Sequence, residues 1–319
     1  MITDCIKEGF ALANRNLQLV AIRIVVKLIN LFAMLIFMVV PLVAIIAYLG
    51  IDLANADKLL PLLLNDPLEF ILKYSGAILI ALISLVFCLT IVSLIDLYVI
   101  GGTIGVLRSA TAESDYKFSL SSFFKESGSN FARLFWLLSL LLLILSLTLI
   151  IMSVAGGAGI IAAQTLKYSE SLIGIFLSSM LTVTSIVVSI FVIIAGFMFA
   201  FYSMIISVME GKGSTYSIRV ACGFLKSRPQ AMLLYLILFA GVIAIHIIFF
   251  GVKIPFNMVP FLAPFINIAI TIINVVFQSY VAVFMWSSLI VYYLKVNTVR
   301  DFDSNGVKAS HAGQGDLEI

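Results

Sequence analysis

Six stretches of this chain are each long and apolar enough to cross a bilayer: roughly residues 24–49, 75–100, 134–155, 172–208, 231–251 and 262–294. A membrane helix needs about 20 mostly apolar residues. The fourth and sixth stretches exceed that length, so tilt, a kink or a helical extension beyond the bilayer is expected of them. The composition points the same way, since 62% of the 319 residues are hydrophobic and 11% are charged, against about 25% charged in an average soluble domain. A soluble fold would have to spread apolar groups over its exterior. Lipid is therefore the solvent for much of the chain.

Lys and Arg fall on one side of these spans. One set of connecting segments holds Lys7, Arg15, Arg23 and Lys27, then Arg108, Lys117, Lys125 and Arg133, then Lys212, Arg219, Lys226 and Arg228, and finally Lys295, Arg300 and Lys308. The opposite set holds Lys58, Lys73, Lys167 and Lys253. Such a bias marks the cytoplasmic side. The expected location is the cytoplasmic membrane, multi-pass, with both termini inside and the acidic loop Asp52, Asp57, Asp66 and Glu69 outside. The first span is expected to remain as a signal anchor, because residues 1–19 carry charges and no small-residue cleavage site.

Three cytoplasmic segments align on a phenylalanine: "EGFALANRNLQLVAI" on Phe10, "SFFKESGSNFARLFW" on Phe124 and "CGFLKSRPQAMLLYL" on Phe224. Ile6, Phe10, Ala13 and Leu17 form an apolar stripe opposite Lys7, Asn14 and Arg15, as in a helix lying in the membrane interface. Each unit then reads as an interfacial helix followed by two spans, with units about 1–100, 101–208 and 209–295. Two spans per unit preserve orientation, which implies a pseudo-threefold axis along the membrane normal. The expected fold is an all-α integral membrane domain over 1–295, with a polar cytoplasmic tail over 296–319 whose composition reads as disorder.

This layout, with segments such as "SLSSFFKESGSNFARLF" feeding each hairpin, resembles the six-helix membrane module attached to glycerophosphoryl diester phosphodiesterases and its stand-alone prokaryotic relatives. The resemblance covers most of residues 1–295 and implies a membrane module rather than a catalytic unit. It carries no catalytic residue across.

The chemistry expected of an enzyme is sparse. Cys5, Cys88 and Cys222 are far apart and match neither a metal spacing nor a disulfide framework. "GAGIIA" at 157–162 follows a membrane helix and not a strand. "EGKGST" at 210–215 has Ile206 and Gly213 where a phosphate loop requires Gly and Ser or Thr. No nucleophile with a base, no carboxylate pair and no ligand cluster emerges, so neither an enzymatic role nor a cofactor or metal is expected. Anionic lipid heads are the expected partners of the short basic segments, with a membrane protein partner possible and nucleic acid not.

Several polar residues lie inside the spans. Asn267, Thr271, Asn274 and Gln278 are spaced 4, 3 and 4 apart, a seam on one helix face, and Ser178, Thr182, Ser185 and Ser189 repeat the spacing in the fourth span. The expectation is that the two seams face one another, either as packing glue or as the wall of a crevice for a neutral or amphipathic solute or lipid. Asp96 and His246 are the intramembrane ionisable groups. A pairing of Asp96 with Arg108 or a neighbouring basic loop, and a bond from His246 to a backbone carbonyl, are the expected bland roles. Arg15, Arg23, Lys27, Arg108, Arg133, Arg219 and Arg228 are expected to anchor lipid head groups. Gly101 and Gly105, a Gly-x-x-x-Gly pair, are read as either permitting close packing or ending the second helix. Two functions compete: a non-enzymatic module that binds and organises lipid or a partner, and a transporter or channel with its crevice between spans four and six.

Overall fold

The computed structural model describes residues 1–48, 64–113, 116–167, 172–257 and 263–312. All regular structure among them is helical. The amphipathic α1 (Ile2–Arg15) buries Cys5, Gly9, Leu12 and Ala13 along one face. The chain turns at Asn16, whose side chain donates to the Leu12 carbonyl at 2.9 Å, and α2 (Leu17–Met34) opens the first span. A π-helical turn at Leu35–Val39 joins it to α3 (Val40–Tyr48). Pro41 explains the turn, because it lacks an N–H and its ring crowds the carbonyl four residues back, widening the ladder locally.

The remaining helices are α4 (Pro67–Ala112), α5 (Leu120–Lys167), α6 (Leu172–Glu210), α7 (Ser214–Ser227), α8 (Pro229–Asn257) and α9 (Ala263–Ala312). Proline again sets a boundary between α7 and α8. Arg228, at φ −133° and ψ 77°, is pushed out of helical space by the Pro229 that follows it, while Pro229 itself suits the first helical turn. No proline stands at the corresponding place in α5. That helix runs through unbroken, and Asn130, six residues past Phe124 as Asn16 is past Phe10, donates to the Glu126 carbonyl at 2.9 Å.

Among the described residues six helical segments are long and apolar enough to span: Leu17–Ala47, Tyr74–Ala112, Leu120–Val154, Ser179–Glu210, Pro229–Pro255 and Phe265–Asn297. The protein is an all-α, six-span membrane protein. The first four spans pack in chain order, the fifth packs against the sixth, and α9 returns to pack against α1 and α2. α9 continues to Ala312 through most of the segment expected as a tail. Residues 313–319 lie outside the described residues, as do Asp52 and Asp57.

The packed core sits at the end of the bundle that carries Arg15, Arg108, Arg133, Arg219 and Arg228, here termed the basic end. Ile104, Leu134, Leu137, Tyr202, Leu234 and Ile290 are buried there. Gly9 lets α1 touch α9, since a Cβ would stand 2.6 Å from the Ser288 Cα. The expected close approach at Gly101 and Gly105 is present, against Leu134, Asn130 and Glu126 at the start of α5. Gly102 is tighter still, since a Cβ there would collide first with Ser127 Oγ and then with Phe123 Cε2 at 2.7 Å. Lys295 and Glu8 form an ion pair at 2.6 Å, and the Tyr280 hydroxyl donates to Asn14 Oδ1 at 2.8 Å. These contacts close the ring between the first helix and the last.

Candidate functional site

The seam of the sixth span is a hub. Gln278 Oε1 accepts from Lys27 Nζ at 3.0 Å. Gln278 Nε2 donates to Asn274 Oδ1 at 3.1 Å and meets His246 Nε2 at 3.0 Å. His246 Nδ1 lies 2.8 Å from the Val242 carbonyl, which can only accept, so Nδ1 carries the proton and Nε2 is left to accept from the amide. The expected bond from His246 to a backbone carbonyl is present. The bond to Gln278 was not visible in the sequence, because 32 residues separate the two.

The seam does not face its counterpart in the fourth span. Gln278 joins the first and fifth spans instead, and the Ser189 hydroxyl turns back to the Ser185 carbonyl of its own helix at 2.8 Å. Thr182 is exposed, and the side chain of Ser178 lies outside those described. The physical reason is topological: the first span occupies the flank of the sixth and brings a lysine that needs an acceptor. Thr271 meets Lys253 Nζ at 3.4 Å toward the opposite end, and Asn267 is half-buried one turn further on.

The ladder continues onto the second span. Asn30 Nδ2 donates to Asp96 Oδ1 at 2.9 Å. Asp96 is therefore not paired with Arg108, whose guanidinium donates to the Val208 carbonyl at 3.2 Å. Arg15 likewise donates to the Ala110 carbonyl. Both cap the ends of neighbouring helices, which leaves each less free for lipid than expected. Arg133 lies beside Gly211, the chain's described glycine at positive φ, which turns α6 toward α7. Arg219 and Arg228 line a separate cavity at the basic end.

Arg23 differs from all of these. Its Nε and one Nη are sealed from solvent and have no hydrogen-bond partner, and it forms no ion pair among the described residues. Lys27 stands one turn away on the same helix, and Asp96 attracts both cations without touching either. From Arg23 to Thr271 the ladder covers about 16 Å along the helix axes at 1.5 Å per residue, about half the hydrocarbon thickness. It is open to one side, since Asp96, His246 and Thr271 are exposed while Lys27, Asn274 and Gln278 are half-buried. Beside it, Ile22, Val26, Ile29, Ile95, Val99 and Phe123 line an apolar cavity of about 540 Å³.

Comparison of the chain with known protein families, curated proteins and solved structures finds no match. Function has to be argued from the residues themselves.

Proposed function

We propose that this is a non-enzymatic membrane protein that holds an anionic lipid, with the head group on Arg23 and Lys27 and an acyl chain in the adjoining apolar cavity. The observation that carries this reading is the buried guanidinium of Arg23. A cation inside a span is costly and needs a partner, and the described residues offer its Nε and one Nη no hydrogen-bond acceptor. An arginine fork matches a phosphate oxyanion. The proposal places the basic end in the cytoplasm, in keeping with the distribution of Lys and Arg, and reads the three units as a pseudo-threefold module of the kind attached to glycerophosphoryl diester phosphodiesterases. On this view the module organises its lipid, or a protein that recognises the lipid, within the cytoplasmic membrane.

Native mass spectrometry from mild detergent tests it. Wild-type protein should retain anionic phospholipid, and the double variant Arg23→Ala, Lys27→Ala should retain about tenfold less. Equal retention by both, or retention of neutral lipid alone, overturns the reading. A second reading, a conduit for a neutral or amphipathic solute, is favoured by one feature: polar groups run from Arg23 to the Lys253–Thr271 contact. In that case Asn274→Cys reacts with a water-soluble maleimide and Ser185→Cys does not.

A further inference from the structure

The basic end holds a second cationic cavity that the lipid reading does not use. Its larger lobe, about 750 Å³, is lined by Glu210, Tyr216, Arg219, Gly223, Tyr293 and Asn297 among others. A second lobe of about 440 Å³ is lined by Tyr292, Gln230 and Lys295. Ser227, Arg228 and Val296 belong to both lobes, which puts Arg228 at the neck between them. The helix break before Pro229 is what turns Arg228 out of α7 and into this position.

Three observations bear on what the cavity takes. First, the cavity's positive charge exceeds its negative charge, since Arg219 and Arg228 stand against the one carboxylate Glu210. Glu210 is engaged by Tyr293, whose hydroxyl donates to it at 2.5 Å, and by Tyr216. Arg219 and Arg228 have no hydrogen bond or ion pair among the described residues. Second, Tyr292 is fully buried, lines the second lobe and has a hydroxyl with no partner. A buried hydroxyl in that state loses its hydrogen bonds to water with nothing in return. Third, Gly223 lies mid-helix on the wall of the larger lobe, and a Cβ there would meet nothing within 4 Å. Glycine in a helix costs about 1 kcal/mol relative to alanine. No neighbouring side chain requires glycine here; the room it leaves belongs to the cavity.

We infer that this two-lobed cavity binds a phosphate-bearing ligand, with the phosphate held by Arg228 and the Tyr292 hydroxyl at the neck and the rest of the ligand in the larger lobe beside Arg219 and Gly223. Two unpaired arginines with neutral hydroxyl and amide donors suit a multiply charged oxyanion better than a single carboxylate. A soluble phosphorylated compound and a phospholipid head group at the membrane surface both present this phosphate, and the chemistry is shared.

Calorimetric titration of the full chain in uncharged detergent distinguishes the sources. Inorganic pyrophosphate is one probe, and dihexanoyl phosphatidic acid is the other, with dihexanoyl phosphatidylcholine as the neutral control. Saturable binding of at least one anionic probe is expected. Arg228→Ala should weaken it about tenfold, and Tyr292→Phe, which keeps the ring and its packing, about threefold. Gly223→Leu should abolish it by filling the lobe, and Lys117→Ala, an exposed residue elsewhere, should leave it unchanged. Pyrophosphate binding alone identifies a soluble ligand, and phosphatidic acid binding that Arg228→Ala weakens and the double variant Arg23→Ala, Lys27→Ala leaves in place identifies a lipid in this cavity. Absence of saturable binding by either probe, or wild-type affinity in both Arg228→Ala and Tyr292→Phe, overturns the inference.

Discussion

The two ends of this bundle are built on different principles. At the basic end, side chains interlock as in a soluble core: Tyr202 is fully buried, its hydroxyl donates to the Ala231 carbonyl at 2.8 Å, and Phe201 lies against Trp286 with ring centroids 4.5 Å apart. Toward the opposite end the same helices spread. Ile151, Phe191 and Phe250 are 68%, 68% and 69% exposed, and lipid takes the place of protein neighbours. The hydrophobic effect does not discriminate between lipid and protein for these side chains, because lipid tails are as apolar as leucine. What specifies the arrangement is therefore the polar and small-residue packing at the basic end, and the polar ladder lies where one regime gives way to the other.

The largest test of that contrast compares Tyr202→Ala with Phe191→Ala. The first removes a buried ring and leaves the Ala231 carbonyl without its donor, and should cost about 3–5 kcal/mol. The second changes a lipid-facing group and should stay within about 0.5 kcal/mol. Unfolding of each variant in mixed micelles, followed by circular dichroism, gives both numbers. Comparable losses would mean that the two ends are equally packed.

Next in size is the ladder. Gln278→Leu strands Lys27 and His246 together and should destabilise by about 1–3 kcal/mol. Arg23→Leu removes a guanidinium that has two buried nitrogens without partners, so stability should hold or rise while lipid retention falls, the trade expected of a residue kept for function. The same unfolding assay decides the sign. A large loss for Arg23→Leu would make it a structural residue.

A smaller, kinetic difference separates two cysteines at the basic end. Burial raises the Cys5 thiol above its ordinary value, whereas Cys222 is exposed on α7. Maleimide should modify Cys222 at least about tenfold faster at pH 7.5, because the thiolate is the reacting species. Mass spectrometry of timed digests reads the ratio. Equal rates would show that α1 lifts off α9.

The smallest expected effect is on pH dependence. Tyr216 donates to Glu210, and that bond, foremost, raises its hydroxyl above the usual phenol value. A group whose folded value is raised stabilises the fold below its unfolded value, near 10, and loses that contribution as pH climbs through the folded one. Melting temperature should therefore fall from pH 9 to 11 more steeply in wild type than in Tyr216→Phe. Parallel profiles would remove the Glu210 bond from the account.

Much of this was legible in the chain. Unbroken apolar runs yielded the six spans, whereas the breaks beside Pro41 and Pro229 emerged only with the structure. The ends of the spans were less legible. Segments such as 97–112 mix Thr103 and Arg108 into helix, and apolarity falls there although the residues are buried. The spacing of Asn267, Thr271, Asn274 and Gln278 announced a seam, but not what it faces. Buried but unpartnered groups such as the Tyr292 hydroxyl leave no mark in a sequence, since any tyrosine reads alike until its neighbours are placed.

By itself the sequence determined the class and number of the spans, because helix period and hydropathy are local properties of consecutive residues. Only the tertiary structure decided that Lys27 meets Gln278 across 251 residues, that Asp96 turns to Asn30 and not to Arg108, and that among the described residues Arg23 Nε and one Nη find no hydrogen-bond partner. Those outcomes depend on which helices become neighbours. Neighbour choice here follows from tight fits, such as the Gly9 backbone against the Ser288 backbone and Gly102 against the Phe123 ring, where close approach selects one partner among several equally apolar ones.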